Sequence, residues 1–445
     1  MEYRNQIVNC DALSYLRTLP DNSVNCIVSS PPYYALRDYG VEGQLGLEPT
    51  PAEYVANMVA VFREAKRALR DDGVCFVNLG DTYVGGGRGT SDHHRQKIGA
   101  KTANAQALGR LDVDGFLPKT RMGIPWRFAL AMMDDGWILR NDIIWAKRNP
   151  MPESVTDRFT SSHEHVFMFT KSNDTTFWVH RDHEGSRTRP APDYRWVHKD
   201  TGEEVAEEPA DWRASGLWSR LNLWTGRDYW ADMYAVREPF ADERMGNPGK
   251  YTRTSAQSKG ANNDRQDGGF LNNGGGWENG AARGGRNARD VWSLSSEPFA
   301  GAHFAVMPSK LVEKCLLVGC PETVCAVCGA PWTRVVEREG TYGKEGWGKS
   351  TKDHTGNLQG SQSFIRDGNG RAGFVSLSDH GFRPTCSCNQ DTVRGVVLDP
   401  FMGSGTVART AIRLRRDFCG CDLNPEYVRM ATDSLDNLAV TLFTL

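Results

Sequence analysis

No stretch of this chain reaches the roughly 18 consecutive apolar residues of a membrane-spanning helix. The opening residues, MEYRNQIVNCDALSYL, lack the basic start, apolar centre and small-residue cleavage site of a secretory leader. The expectation is a cytoplasmic protein with no membrane partner. Charge of one sign is missing too: 53 Lys and Arg stand against 55 Asp and Glu, net −2, which excludes a generally basic nucleic-acid coat but not a local basic groove. Wholesale disorder is excluded by 24% charged and 39% hydrophobic residues, while a mean hydropathy of −0.52 assigns much of the length to loop and polar surface. No internal repeat is visible. Eleven cysteines in 445 residues do not make the dense framework of a short secreted domain, so in a reducing compartment they are free thiols or metal ligands. The length corresponds to about three units, or one large core with insertions.

What is present first is an alternation of strand and helix signals. Ile7 to Cys10 reads as a strand, Ala12 to Leu19 as a helix, and Asn25 to Ser29 as a buried strand running into a Pro-Pro stop. Tyr54 to Leu69 has apolar residues at helical spacing with Lys66, Arg67 and Arg70 in its last turns, and Val74 to Leu79 is the next strand. The pattern resumes with a helix from Met122 to about Met133 and strands at Trp137–Trp145 and His165–Phe169. It returns near the end as strand Gly395–Asp399, helix Thr406–Leu414, strand Phe418–Asp422 and a helix from Asn424. This is an α/β pattern.

Three irregular stretches interrupt it. Residues 85–121 hold seven Lys/Arg against three Asp/Glu, and 244–290 hold eight against four, with eleven Gly and seven Asn, so each is net +4. Loops this long are functional or disordered. The third, 321–394, is bracketed by cysteine pairs: Cys325-Ala326-Val327-Cys328-Gly329 and, 57 residues on, Cys386-Ser387-Cys388. Two close thiol pairs on tight turns make a tetrahedral site for a structural Zn²⁺, since four thiolates leave no position open to water. The alternative is four reduced core cysteines, and Cys320 or His380 is a possible substitute ligand.

Val396-Val397-Leu398-Asp399-Pro400-Phe401-Met402-Gly403-Ser404-Gly405-Thr406 is an apolar strand ending in an acid, then a glycine turn, then a helix start. Such a turn brings backbone N–H groups and a helix N-terminus to a ligand above the strand end. Gly403, Gly405 and Ala408 fit G-x-G-x-x-G/A, and Asp422 lies 19 residues past Gly403, where a ribose-binding acid would stand. No Lys follows in the position a P-loop needs, which speaks against a nucleoside triphosphate. The loop alone leaves a nicotinamide cofactor, another adenosine-containing cofactor and a structural turn open.

Ser29-Ser30-Pro31-Pro32-Tyr33-Tyr34 also follows a buried strand, at the rim where open α/β sheets place their sites. Alone it is a rigid strand exit. Joined to an adenosine-type loop it gains a specific chemistry. An exocyclic nucleobase amine is a poor nucleophile because its lone pair is delocalised into the ring. The Ser30 oxygen and the Pro31 carbonyl can both accept hydrogen bonds from that amine and orient the lone pair. Pro32 stiffens the backbone, and Tyr33 would stack on a base flipped from the duplex.

The DPFMGSGT loop paired with SPPY resembles the S-adenosylmethionine-dependent DNA amino-methyltransferases. SPPY at 30–33 preceding DPFMGSGT at 399–406 is similar to their β class, a circular permutation of the common methyltransferase fold. Asn9-Cys10-Asp11-Ala12 with Leu19-Pro20-Asp21-Asn22-Ser23-Val24 resembles the family's lead into the SPPY strand. Gly136 to Lys147, Asn149-Pro150-Met151-Pro152-Glu153-Ser154, Arg158 and His163-Glu164 resemble its central block, and His303-Phe304-Ala305-Val306-Met307-Pro308 the segment before the cofactor loop. These matches touch about half the chain and leave the nicotinamide reading little room.

The resemblance implies a circularly permuted, Rossmann-like class I methyltransferase sheet with helices on both faces, carrying a target-recognition insertion and a small zinc-binding insertion. Residues 1–181 and 395–445 would form the two parts of the core, 182–300 the target-recognition region, 301–320 the core segment before the cofactor loop, and 321–394 the zinc insertion. Ser30, Pro31, Pro32 and Tyr33 would be catalytic. Asp399, Pro400 and the backbone of Phe401, Gly403, Ser404, Gly405 and Thr406 would hold the methionine end of the cofactor, Asp422 the ribose, and Asp11 with Ala12 the adenine. An acid ending a strand is also an ordinary helix cap.

Serine heading the motif leans toward cytosine N4, with adenine N6 as the alternative; C5 methylation would need a cysteine beside the Pro-Pro turn, and none is there. Phosphate contacts are expected from Arg88, Arg95, Lys97 and Lys101 in one basic stretch, and Arg253, Lys259, Arg283, Arg286 and Arg289 in the other. Lys147, Arg148, Ser154, Arg158 and His163 lie near the expected rim. A general-base role for His163 or Glu164 is outweighed by capping or ordinary hydrogen bonding. Trp196, Trp212, Trp218, Trp224 and Trp230 read as core. The expected partner is double-stranded DNA; a homodimer is implied by the resemblance, and cleavage would need a separate restriction endonuclease, since no nuclease pattern stands out. An RNA or protein methyltransferase is the more remote alternative.

Overall fold

In the computed structural model the described residues are 3–84, 115–171, 229–238, 287–297, 307–341 and 391–443, with further strands and single residues inside 180–222 and 365–390. Eight strands build one sheet: β1 (Gln6–Asn9), β2 (Val24–Ser29), β3 (Leu69–Leu79), β4 (Ile138–Lys147), β5 (His163–Thr170), β6 (Val291–Leu294), β7 (Val396–Asp399) and β8 (Asp417–Asp422). Their order is β1-β8-β7-β2-β3-β5-β4-β6. The first five in that order are parallel, β5 is antiparallel to both its neighbours, and β6 runs parallel to β4. The C-terminal strands β8 and β7 therefore stand together between the N-terminal strands β1 and β2.

The central strands are covered on both faces, which is why VNCIVS and VVLD are buried at every position rather than alternating. Successive residues serve opposite faces. Ile27, Val77 and Leu398 join one core with Leu16, Met58, Phe62 and Phe128, from α1 (Ala12–Thr18), α2 (Pro51–Ala68) and α3 (Ile124–Asp134). Cys26, Phe76 and Val397 join the other with Leu311, Leu316, Val407 and Ala411, from α4 (Ser309–Gly319) and α5 (Thr406–Arg413). A last helix, α6 (Pro425–Phe443), follows β8. α2 begins where the sequence favours it: Pro51 opens the first turn and the Thr50 hydroxyl accepts a bond from the Glu53 N–H at 3.2 Å. No described helix is long and apolar enough to cross a membrane.

The stretch expected to read the target, 182–300, also serves the core. It supplies β6, whose Trp292 is buried, and Trp230 and Asp232 donate backbone N–H groups to Asp72 and Val318 at 2.8 and 2.9 Å. Elsewhere in it Tyr194–His198, Glu204–Val205 and Trp218–Asn222 form a small antiparallel sheet. The 321–394 stretch leaves and returns at one place, because Thr323–Cys325 pairs antiparallel with Thr392–Arg394. Within it Trp332–Thr341 and Ala372–Pro384 form an antiparallel pair. Its base is fastened to the core by Trp230 Nε1 donating to the Trp332 carbonyl at 2.9 Å and by the Arg334 fork on the buried Asp232 carboxylate.

Gly420 shows how closely the central strands approach the following turn: a Cβ there would stand 2.2 Å from the Asp399 carbonyl oxygen and 2.5 Å from the Met402 side chain. Backbone cannot yield as a side-chain tip can. Gly420→Ala is expected to cost about 1–3 kcal/mol, read as a lowered thermal midpoint; an unchanged midpoint would contradict this packing.

Candidate active site

Two adjoining cavities open at the C-terminal ends of β7, β8 and β2. The larger, about 330 Å³, is lined by Asp11, Ala12, Ser30, Pro32, Tyr39, Pro400, Phe401, Gly403, Asp422 and Tyr427, among others. The smaller, about 120 Å³, is lined by Ser30, Arg37, Tyr39, Asp399, Phe401, Gly403, Ser404, Thr406 and Tyr427. The structure thus brings Ser30, from one end of the chain, to the 399–406 loop and Asp422, from the other.

Three acids frame this space, each held differently. Asp399 is buried; its Oδ1 accepts the Ser29 hydroxyl at 2.7 Å and the Phe401 N–H at 3.0 Å. Burial nevertheless outweighs those bonds and pushes its carboxyl up to about 7. Asp422 accepts the Gly403 N–H at 2.8 Å and the Asn424 N–H at 2.9 Å, and burial raises it as well. Asp11 caps α1 through the Ser14 N–H at 2.9 Å, which keeps its carboxyl below the usual range. Helix cap and cavity wall are therefore one residue.

The glycine loop is wired inward. Besides Phe401 and Gly403, the Met402 N–H donates to the Cys421 carbonyl and the Gly405 N–H to the Met402 carbonyl. The backbone donors at Phe401, Gly403 and Gly405, expected to face a ligand, are spent on Asp399, Asp422 and the turn itself. Gly405, at φ +79, is left-handed and lies against Ala431, where a Cβ would come within 2.8 Å.

Beyond Ser30, no hydrogen bond among the described residues reaches the Pro31 carbonyl. The Pro32 carbonyl accepts the Tyr54 hydroxyl at 2.7 Å. The Tyr33 hydroxyl donates to Glu164 Oε2 at 2.5 Å and lies 3.2 Å from Asn78 Oδ1, while its ring edge packs so closely on Gly80 that a Cβ there would meet it at 2.6 Å. Glu164 is itself buried and also takes Asn78 Nδ2 at 3.1 Å and Lys147 Nζ at 2.5 Å. Burial and this carboxylate push the Tyr33 phenol far up. Glu164 is saturated by donors and Lys147 is engaged by it, an arrangement suited to positioning rather than to proton abstraction.

Other expected residues line neither cavity. Arg148 is exposed and donates to Ser293 Oγ at 3.1 Å; Ser154 is exposed; Arg158 pairs with Glu153 and covers the Tyr83 ring at 4.1 Å; Arg289 pairs with Glu238 at 3.0 Å. Burial lowers the His163 imidazole. Trp196 and Trp230 are buried, and Trp218 meets His198 edge-on. Arg88, Arg95, Lys97, Lys101, Trp224, Arg253, Lys259, Arg283, Arg286 and His303 to Val306 lie outside the described residues, as does the Trp212 side chain. The Sγ atoms of Cys325, Cys328, Cys386 and Cys388 lie within 4.8 Å of one another. The Gly329 N–H closes the turn on the Cys325 carbonyl at 2.9 Å, with Gly329 at φ +69.

The sequence reading missed one wall of the cavities. Arg37, Tyr39, Val41, Gly43, Gln44 and Leu45 come from the loop after the Pro-Pro turn, and Tyr39 packs edge-on against Tyr427 at 6.1 Å. Its signal was present: Gly40, Gly43 and Gly46 recur every third residue and all have positive φ, and the Gly46 carbonyl accepts the Ala35 N–H at 2.6 Å.

Asp399 gives the site a pH signature. In the folded chain it holds a proton up to about pH 7, whereas the unfolded carboxyl releases it near 3.8. Its contribution to stability is thus fully present below the unfolded value and is lost as pH rises toward 7. Asp399→Asn keeps the oxygen that accepts both bonds and removes the titration. Between about pH 5 and about pH 7.5 the thermal midpoint of the unliganded parent is expected to fall more than that of Asp399→Asn; parallel curves would contradict the assignment.

The family described as DNA methylase, of the N6/N4 methyltransferases, matches residues 24–324 and 385–433. The chain is 31% identical over 425 residues to the type II methyltransferase M.Cfr9I of Citrobacter freundii, covering 96% of this chain and 85% of that one. It is 26% identical over 430 residues to the type II methyltransferase M.SmaI of Serratia marcescens, covering 97% and 90%. Among solved structures, PvuII DNA methyltransferase (cytosine-N4-specific) aligns over 96% of this chain and 86% of that one, with 14% identity and a TM-score of 0.43. With this match across both ends of the chain, the protein belongs to the N6/N4 family of DNA methylases.

Proposed function

We propose that this enzyme transfers a methyl group from S-adenosylmethionine to the exocyclic N4 amine of a cytosine flipped out of duplex DNA. The observation that carries the reading is the position of Ser30 at the wall common to both cavities, beside a Pro31 carbonyl that accepts no other described bond. Bound S-adenosylmethionine supplies a methyl group on a sulfonium, which departs as a neutral thioether, so no metal is needed. The cavities fit such a ligand: Asp422 and Asp11 would accept from ribose hydroxyls and adenine amine, and Tyr39 and Tyr427 would be its aromatic walls. With the Phe401, Met402, Gly403 and Gly405 N–H groups committed, the 399–405 loop would meet the cationic methionine end through carbonyl oxygens and Asp399. Ser30 and the Pro31 carbonyl accept from the target amine and turn its lone pair toward the methyl carbon. Transfer would form the N–C bond as the C–S bond breaks, and the methylated nitrogen would then give its extra proton to water. Glu164, Asn78 and Lys147 hold the Tyr33 ring in place beneath the base.

The serine at position 30 supports cytosine N4 over adenine N6. The strand order, with C-terminal β7 and β8 beside N-terminal β1 and β2, supports the β-class permutation. Residues 182–222 and the two basic stretches are assigned to DNA contact, and residues 321–394 to a module held by one structural Zn²⁺ on Cys325, Cys328, Cys386 and Cys388. The relatives' designation as type II methyltransferases supports a role in restriction-modification, opposite a separate endonuclease.

Incubation with methyl-labelled S-adenosylmethionine and unmodified genomic duplex DNA, followed by nucleoside mass spectrometry, tests the chemistry. The expected product is N4-methylcytosine, lowered about 10²-fold by Ser30→Ala. N6-methyladenine would change the base and keep the mechanism; no labelled nucleoside would overturn the reading. Elemental analysis is expected to find about one zinc per chain, lost in Cys386→Ser.

A further inference from the structure

We infer that Phe159 is the wedge that enters the duplex where the target base has left it, an inference that rests on the base-flipping reading above. The topology puts its loop in the right place. β4 is antiparallel to β5 and β5 to β3, so the β4–β5 connection, 148–162, emerges at the same rim as the ends of β2 and β3. That rim carries Ser30, Tyr33 and Gly80. Arg158 then stacks at 4.1 Å on Tyr83, three residues past the glycine that touches the Tyr33 ring.

The loop is braced. Glu153 accepts from Arg158 Nη1 and, at 3.4 Å, from the Ser161 N–H; Lys119 bridges to Asp157; the Lys147 N–H closes the base on the Ser162 carbonyl at 2.8 Å. Asn149 Oδ1 accepts the Ser296 N–H at 2.8 Å on the other side. From this fixed frame Phe159 projects 95% exposed, with Met151 at 83% and Leu117 at 78% exposed on the same two neighbouring segments. Single exposed apolar residues are ordinary. An aromatic held out by a braced loop, at the rim that carries Ser30 and Tyr33, is shaped for a partner with an apolar slot. A duplex missing one stacked base is such a partner, and inserted Phe side chains are known to fill opened base steps.

The test uses the full-length enzyme and a duplex carrying the site it modifies, mapped by sequencing DNA it has methylated, with the target base either paired or mismatched. Flipping a mismatched base needs less help. Phe159→Ala is expected to keep the parent's thermal midpoint, to lose about tenfold in single-turnover rate on the paired duplex, and to stay within about twofold of the parent on the mismatched one. Phe159→Leu is expected to recover most of the paired rate. Equal loss on both duplexes, or no loss on either, overturns the wedge while leaving the methylation reading intact. A parent that methylates neither duplex overturns both.

Discussion

One buried hydrogen bond joins the two ends of this chain at its working edge. Ser29, the last residue of β2, donates to Asp399, the last residue of β7, and the two strands are parallel neighbours although 370 residues separate those side chains. The Ser-Pro-Pro-Tyr turn starts one residue after Ser29 and the glycine loop one residue after Asp399. Their spacing is therefore fixed by β-sheet geometry, with about 4.8 Å between strands, rather than by the long and irregular sequence between them. Insertions can be added to such a core at loops without moving the site.

A second economy is visible in the donors. The glycine loop turns its Phe401 and Gly403 N–H groups on Asp399 and Asp422, so the acids and the loop fix each other. Asp399 and Asp422 are both raised by burial, as two carboxylates facing a small apolar-walled space must be. A cationic ligand would relieve that cost, and the stored preference for positive charge is what the proposed sulfonium cofactor would draw on. Tyr33 is fixed by the opposite device. The Glu164 carboxylate, paired with Lys147, holds the Tyr33 hydroxyl, whose phenol is pushed up by burial and by that carboxylate.

The cysteine module is anchored more than its sequence position suggests. Its strand ends pair with each other, and Arg70 at the start of β3 reaches the Cys328 carbonyl at 3.2 Å. With the Trp230, Arg334 and Arg4 contacts this ties the described base of the module to the core.

The sequence by itself determined the elements and their chemistry. Strand and helix signals from Ile7 to Leu79 and from Gly395 onward correspond to β1–β3, β7, β8 and their helices within a few residues, because fully apolar runs bounded by turn residues are local properties. The turn at 30–33, the loop at 399–406 and the cysteine spacing were legible for the same reason. Tertiary structure alone decided which ends meet and what each polar group is left free to do. That β6 from 291–294 completes the sheet, that the loop at 37–46 walls the cavities, that Glu164 is consumed by Tyr33, Asn78 and Lys147, and that the loop amides face inward all depend on partners far away in sequence. Periodicity reports which side of an element is apolar; only packing assigns each buried donor its acceptor.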